Sequence, residues 1–272
     1  RNGGNEIYTV TAANSPSVMR EIGRLREEAF RGAGGGTGQP TDIDADDLAE
    51  GGYRQLIVWD PHAREIIGGY RYIVSTTSHP DNVSTEHYFT FSDRFRRDYL
   101  PWVIELGRSF VQPRYQGRTG GIKSLYALDN LWDGLGALVV RFPEARYFLG
   151  KVTMYPGYNV DAREELRYFL DKYFGDRDAL VSPRNPLPVG WDEAVMQGVF
   201  TGSDYAEDNK ILTHRLRSYG EAVPPMINAY MNLSSTMKVF GTVINHDFGE
   251  VFETGILITI ADIHKCKMDR YL

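Results

Sequence analysis

Charged residues inside apolar segments are the first candidates for chemistry in this sequence. Glu105 and Arg108 lie three residues apart in the otherwise mostly apolar stretch 102–111. Burying a charge pair in such a segment is costly unless the pair faces a cleft, so a functional role is favoured for both residues. Arg71 ends the run 68–71, and its planar guanidinium suits either an ion pair or the carboxylate of an amino acid.

Arg26, Asp44 and Asp47 have an equally simple structural explanation. Together with the three residues above they make three cations and three anions. A balanced set of this kind is typical of an ion-pair network that holds a helix against a sheet. We favour that network for these three residues, and substrate binding stays open as the alternative.

The elements that must position these residues follow from hydrophobic spacing. Apolar residues at three- and four-residue spacing predict a helix over 15–31, and five glycines between 32 and 38 predict a mobile loop. Residues 75–100 read as irregular. Strands are predicted at 54–59, 65–74, 102–111, 146–153, 237–246 and 251–260, and further helices at 122–142, 161–174, 191–200, 203–219 and 223–233.

This order of elements predicts a mixed α/β fold. We expect residues 1–272 to form a single domain with a helical insertion at about residues 158–219. A net charge of −6, from 30 Lys and Arg against 36 Asp and Glu, argues against a nucleic-acid binder that depends on a global positive field. The single cysteine, Cys266, excludes an intramolecular disulfide framework and a multi-cysteine zinc site.

Several other functional classes lack their motifs. The sequence has no Gly-x-Ser-x-Gly elbow, no phosphate-binding loop and no His-Glu-x-x-His pair, and its six histidines show no metal-ligand spacing. No apolar run approaches the roughly 20 residues of a membrane span, and no secretory signal is recognisable. We therefore expect a cytoplasmic protein without a catalytic metal, and peripheral contact with the inner face of the membrane stays open.

The order of the charged motifs carries a resemblance. The chain contains Leu-Arg-x-x-x-Phe ending at Phe30, Asp-x-x-Asp at 44–47, Gly-x-Tyr-Arg at 68–71, and Glu-Leu-Gly-Arg-Ser-x-Val-x-Pro-x-Tyr at 105–115. With segments 223–231 and 246–248, this set resembles the bacterial ornithine-lipid and glycine-lipid N-acyltransferases. They form a branch of the GNAT superfamily that is often labelled as hemolysins. The resemblance extends from about residue 18 to 260.

The resemblance implies both a fold and an activity. The fold is GNAT-like, with a mixed, mostly antiparallel central sheet flanked by helices. The activity is transfer of a fatty or 3-hydroxy fatty acyl group from acyl carrier protein or acyl-CoA to the α-amine of an amino acid such as glycine or ornithine, in aminolipid synthesis. Glu105 would act as the base, and Arg71 and Arg108 would orient the acceptor and the base. Backbone amides of Ser109, Phe110 and Val111 would hold the oxyanion.

The donor site is expected near the turn 116–121, a degraded form of the GNAT pyrophosphate turn. Gly120 and Gly121 would direct a helix N-terminus at the phosphopantetheine phosphate, beside Arg118 and Lys123. No cofactor would be bound permanently. We expect one docking patch for an acidic acyl carrier protein. It would be formed by the basic residues Arg94, Arg96, Arg97, Arg114, Arg118 and Lys123.

Two alternatives remain open. The chain also matches the residue pattern of acyl-homoserine-lactone synthases, which consume S-adenosylmethionine. The matching residues are Arg26, Phe30, Asp44, Asp47, Arg71, Glu105 and Arg108. Those enzymes carry a tryptophan after the first helix, where this chain has the glycine loop. The other alternative is a non-catalytic module that binds an acyl chain or a carrier protein, as expected if Phe110 closes the strand segment 105–111.

Overall fold

A seven-stranded sheet forms the centre of the computed structural model, which describes residues 2–75, 83–116 and 121–271, with the side chains of 121–125 left out. The strand order is β1-β2-β3-β5-β6-β9-β8, and β5–β6 is the parallel pair among antiparallel neighbours. This confirms the predicted fold class. The strands are β1 Glu6–Val10, β2 Arg54–Asp60, β3 Glu65–Val74, β4 Phe89–Phe91, β5 Val103–Val111, β6 Tyr147–Met154, β7 Val181–Pro183, β8 Lys238–Asn245 and β9 Val251–Thr259.

Helices cover both faces of this sheet. One face packs against α4, α5 and α8, and the other packs against α1 and against a small layer built from β4, β7 and α3. The region between β6 and β8 holds α5, β7, α6 and α7. The helices are α1 Pro16–Gly32, α2 Ala45–Leu48, α3 Asp93–Asp98, α4 Gly121–Arg141, α5 Val160–Phe174, α6 Glu193–Val199, α7 Tyr205–Ser218, α8 Pro225–Met231 and α9 Lys265–Tyr271.

The strands β5 and β6 diverge halfway along their length. They pair from Val103 with Tyr147 to Leu106 with Gly150, and beyond this point β5 stays on β3 while β6 stays on β9. A bulge lies at the same place, because Arg71 pairs with Gly107 whereas two residues earlier Gly69 pairs with Phe110. Arg108 in this bulge has a φ of 51°, in the left-handed region. A wedge-shaped gap therefore opens between the two strands.

The stretch predicted as a mobile glycine loop is anchored. The buried carboxylate of Glu27 accepts hydrogen bonds from the amide of Thr37 at 2.9 Å, the hydroxyl of Thr37 at 2.7 Å and the amide of Gly38 at 2.9 Å. Gly36 has a φ of 90°, and a Cβ at this position would lie 3.0 Å from Glu27 Oε1. Glycine serves close packing here, so the prediction of a mobile loop is not supported.

Candidate active site

Arg26 and two aspartates form the buried centre of a charge cluster between α1 and the sheet. Arg26 is completely buried, and its guanidinium lies 2.9 Å from Asp42 and 3.2 Å from Asp47. Gln55 on β2 donates a further hydrogen bond of 2.8 Å to Asp47. Burial alone would raise the pKa of Asp47, but Arg26 and Arg71 outweigh it and lower that pKa to about 2. Asp47 is therefore a carboxylate at neutral pH.

Arg71 joins this cluster from β3. Its Nη1 donates to both carboxylate oxygens of Asp44, at 2.7 and 2.8 Å, and lies 3.3 Å from Asp47. The guanidinium also stacks on the ring of Tyr53, 4.4 Å from its centroid. Burial alone would lower the pKa of Arg71, but the aspartates raise it above its ordinary value. Arg71 is thus a fixed cation.

Arg108 occupies the third corner of the cluster. Its Nε lies 3.0 Å from Asp42, and its guanidinium lies 4.3 Å from the ring centroid of Phe248. Phe248 in turn contacts Phe30 edge-on, with ring centroids 5.2 Å apart. The bulge turns the Arg108 side chain onto the α1 face of the sheet. The structure therefore brings the charged motif residues and Phe30 together on this face.

Glu105 lies beside this cluster and is fully buried. Its carboxylate accepts hydrogen bonds from the Tyr53 hydroxyl, from the amides of Ser84 and Thr85 at 2.8 and 2.7 Å, and from both their hydroxyls. Burial and then the neighbouring Glu105 raise the pKa of Tyr53 well above its ordinary value, so Tyr53 keeps its proton and donates. Both oxygens of Glu105 are therefore occupied by protein donors.

A polar cleft of about 330 Å³ opens above these residues, between the loop that follows α1 and the β8–β9 turn. Arg71, Arg108 and Lys151 supply positive charge to its wall. The remaining lining residues are Thr37, Asp42, Ile43, Asp44, Ala45, Asp46, Ser84, His87, Tyr88, Asn245, Asp247 and Phe248. A small molecule that carries both an anionic and a cationic group fits the mixed charge of this lining.

The gap between β5 and β6 connects to this cleft at Arg108 and Lys151. The amide of Gln112 donates to the Ile67 carbonyl at 2.8 Å. Since amides alternate along a strand, the amide of Val111 points away from β3 and toward the open side. Phe110 is buried in a cluster that holds residues of α1 together with Phe248 and Val251. The Val111 amide therefore faces the gap, and its role in holding an oxyanion stays a prediction.

On the opposite face of the sheet, an apolar pocket of about 30 Å³ lies at the same gap. Leu106 and Ser109 contribute from β5, and Leu131, Trp132 and Tyr230 contribute from the helices. A pocket of this volume holds about one water-sized group, so its apolar lining marks the direction an acyl chain would take and is not a preformed tunnel. The two sides of the gap thus offer the opposite polarities that acyl transfer to a small polar molecule needs.

The predicted donor-phosphate residues lie mostly outside the described part of the chain. Arg118 and Gly120 fall in the undescribed segment 117–120, Gly121 is the first residue of α4, and the side chain of Lys123 is not described. Their role stays a prediction.

The predicted basic patch does not form as one surface. Arg94, Arg96 and Arg97 lie before β5 and Arg114 lies after it, so a nine-residue strand of roughly 30 Å separates them. Each is also paired with an acid, as Arg96 with Glu86. The prediction of a single patch from these four arginines is wrong, because it ignored the length of the strand between them.

Several residues of the site were missed from sequence. Asp42 contacts both Arg26 and Arg108. It was missed because the acidic run 42–47 holds four aspartates, and the sequence does not show which of them reach the arginines. Lys151 and Glu253 were missed despite a usable signal, since each is an isolated charge in an apolar strand, like Glu105.

Comparisons with known proteins place this geometry in a family. A model of the acetyltransferase (GNAT) domain matches residues 25–125. A glycine Nα-acyltransferase of Phocaeicola vulgatus is 50% identical over 98% of this chain and 84% of its own length. The enzyme of the same name from Bacteroides thetaiotaomicron is 52% identical, over 98% and 81%. A CoA-dependent acyl-homoserine lactone synthase, BjaI, is 11% identical over 98% of this chain and 87% of its own, with a TM-score of 0.43.

The sheet, its gap and the matched domain define an acyltransferase of the GNAT class. Within that class the chain belongs to the family of the two glycine Nα-acyltransferases, and its reaction is N-acyl transfer. No helix in the described residues is long and apolar enough to cross a membrane.

Proposed function

We propose that this chain transfers a fatty acyl group, 3-hydroxylated in the preferred donor, from a phosphopantetheine thioester to the α-amine of glycine in aminolipid synthesis. The observation that carries the proposal is the gap between β5 and β6, with a polar cleft at one face of the sheet and an apolar pocket at the other. The names of the two relatives support glycine as acceptor, and ornithine is the second candidate.

In this proposal the thioester lies in the gap and the amine approaches from the cleft. The amide of Val111, with that of Ser109 as a further candidate, stabilises the oxyanion that forms at the carbonyl. The amide of Phe110, also predicted for this role, is directed toward β3 by the same alternation and is left out. Arg71 and Arg108 border the cleft and orient the acceptor. Glu105 keeps its predicted role near the amine, but its occupied oxygens limit it to acting through Ser84, which lines the cleft.

We propose acyl carrier protein as the donor and partner, with acyl-CoA as the second candidate. The departure of the turn 116–121 from the GNAT pyrophosphate pattern supports a donor without the adenosine pyrophosphate of CoA. The product joins one long acyl chain to a small polar head, and such an amphiphile supports peripheral contact of the protein with a membrane.

The test is acylation by the purified chain. We expect a 3-hydroxyacyl carrier protein and glycine to yield N-acylglycine and a free phosphopantetheine thiol, both measured by mass spectrometry. Ornithine and acyl-CoA serve as competing acceptor and donor. Lipids of cells that express the chain, compared with cells that lack it, report the acceptor used in vivo.

Two results would redirect the proposal. Formation of methylthioadenosine when S-adenosylmethionine is added would identify a lactone-synthase activity, which the shared pattern from Arg26 to Arg108 favours as second candidate. Binding of the acylated carrier protein without turnover of any amine would leave a binding module.

A further inference from the structure

A second buried carboxylate lies on the same face of the sheet as Glu105. Glu105 pairs with Leu149 of β6, and because side chains alternate along a strand, Lys151 points to the same face. Glu253 on β9 pairs with Thr153, so it is a diagonal neighbour of Lys151 on this face. The cleft face therefore carries a row of charges in the order Glu105, Lys151, Glu253.

The two carboxylates differ in their hydrogen bonds. Glu105 accepts from five protein donors, whereas Glu253 accepts one bond of 3.3 Å, from Asn245 Nδ2 to its Oε1. Glu253 Oε2 has no hydrogen-bond partner among the described residues, although Glu253 is only 3% exposed. Leaving a buried carboxylate oxygen unbonded is costly. This oxygen is consequently an acceptor without a protein donor in the described part of the chain, shielded from solvent behind the wall of the cleft.

Glu253 lies directly behind the wall of the cleft. Its partner Asn245 lines the cleft and accepts a hydrogen bond of 2.8 Å from the hydroxyl of Tyr88, which also lines it. Burial, and after it the charge of Glu253, raises the pKa of Tyr88 to about 12, so the hydroxyl keeps its proton. The path from the cleft to Glu253 is thus polar.

Lys151 lacks a carboxylate partner among the described residues. Its Nζ donates to the hydroxyls of Ser84 at 3.2 Å and Thr85 at 3.5 Å, and none of the carboxylates in the described ranges comes within 4.0 Å of it. The other two cations of the cleft, Arg71 and Arg108, are held by aspartates. Lys151 is therefore the cation of this wall with capacity for a carboxylate from outside.

We propose that Glu253 and Lys151 together bind the acceptor as a zwitterion, Glu253 Oε2 at the ammonium group and Lys151 Nζ at the carboxylate. This inference rests on the proposed function and deepens it. Glu253 takes one proton from the ammonium, and the neutral amine attacks the thioester carbonyl. The C–N bond forms and the C–S bond breaks, the thiolate takes the second proton lost by nitrogen, and Glu253 releases its proton to water. Glu105 then acts as a positioning residue for Ser84 and Thr85.

The decisive experiment compares two acceptors with the Glu253→Gln variant. Glycine is an ammonium at neutral pH, whereas the amine of aminooxyacetate is already neutral and needs no base. We expect E253Q to lose about 100-fold or more in kcat/KM with glycine and to retain most of its activity with aminooxyacetate. Equal loss with both acceptors in a normally folded variant, or full activity with glycine, would overturn the role of Glu253.

Lys151→Met tests the other half with an independent pair of acceptors. Glycinamide lacks the carboxylate, so K151M should lower kcat/KM about 10- to 100-fold for glycine and little for glycinamide. Equal effects on both would contradict carboxylate binding by Lys151. If the wild-type chain acylates neither glycine nor another amino acid, the proposed function fails and this inference with it. If wild type is active and both variants match it, this inference alone fails.

Discussion

At the scale of single residues, the charge cluster acts as a connected frame. Asp42 contacts both Arg26 and Arg108, and Asp47 contacts both Arg26 and Arg71. Removing any member leaves a buried charge without its partner, which costs far more than a surface ion pair. Arg26 is fully buried within the frame, whereas Arg71 and Arg108 also reach the cleft. The frame therefore fixes the two arginines that line the cleft.

Asp47→Asn is expected to lower the free energy of unfolding at pH 7 by about 3–5 kcal/mol. Because the pKa of Asp47 is lowered from 3.8 to about 2, its contribution is present above pH 3.8 and is lost as the pH falls toward 2. The difference between wild type and variant should shrink by about 2 kcal/mol over that interval. Urea unfolding at several pH values measures this, with the exposed Asp269→Asn as control. A difference independent of pH would contradict the ionised state of Asp47.

Glu105→Gln should destabilise the fold by about 1–3 kcal/mol, because an amide group must face the donors that now surround the carboxylate. Activity should fall with glycine and with aminooxyacetate to the same extent, as expected of a positioning residue. Thermal unfolding and the two acceptor assays measure both effects. Full acyl-transfer activity in E105Q would contradict the positioning role as well as the predicted role of Glu105 as base, and a loss confined to glycine would favour Glu105 as the base.

At the scale of elements, the sequence predicted the strands and helices that have clear periodicity. The predicted β2, β3 and α1 agree with the structure within a residue or two, because each has a regular apolar pattern. β1 and the short α2 and α3 were missed, since β1 has only five residues and α2 and α3 are shorter than two helical turns. The gap beside Glu105 was implied by resemblance and not by pattern, because where two strands separate depends on their pairing and not on their composition.

The turn after α1 offers a test of how the cleft is closed. Gly36→Ala is expected to destabilise the protein by about 1–2 kcal/mol, since a side chain at a φ of 90° is strained and its Cβ would crowd Glu27. Because Thr37 lines the cleft, KM for the acceptor should rise. Gly32→Ala at the end of α1 is the matched control, as its Cβ meets no atom within 4 Å. If both variants behave alike in unfolding and in KM, the loop does not shape the cleft.

The apolar pocket on the other face of the gap can be tested by filling it. Ser109 lines this pocket from β5, and a phenylalanine there would occupy the space assigned to the acyl chain. Ser109→Phe should reduce kcat/KM with long acyl donors at least 10-fold while acetyl transfer changes little, and Ser109→Ala should resemble wild type. Rates measured with donors of two, eight and sixteen carbons show the trend. Equal loss at every length would place the acyl chain elsewhere.

At the scale of the whole molecule, the net negative charge of the chain does not favour the approach of an acidic partner protein. The net charge is −6, and the arginines of α3 and Arg114 are already paired with acids. If an acyl carrier protein is the donor, as proposed, long-range attraction contributes little to its binding, and recognition depends on the phosphopantetheine arm.

The ionic strength dependence of the reaction follows from this charge balance. Raising NaCl from 50 to 300 mM should change kcat/KM for an acylated carrier protein by no more than about threefold in either direction, because the chain offers no strong attraction for salt to screen. The matched donor is the same acyl group on free phosphopantetheine, whose rate reports salt effects on the site itself. A loss of tenfold or more with the carrier protein alone would require a strongly basic docking surface. The residues 117–125, which carry Arg118 and Lys123, would then be the first to replace by glutamine.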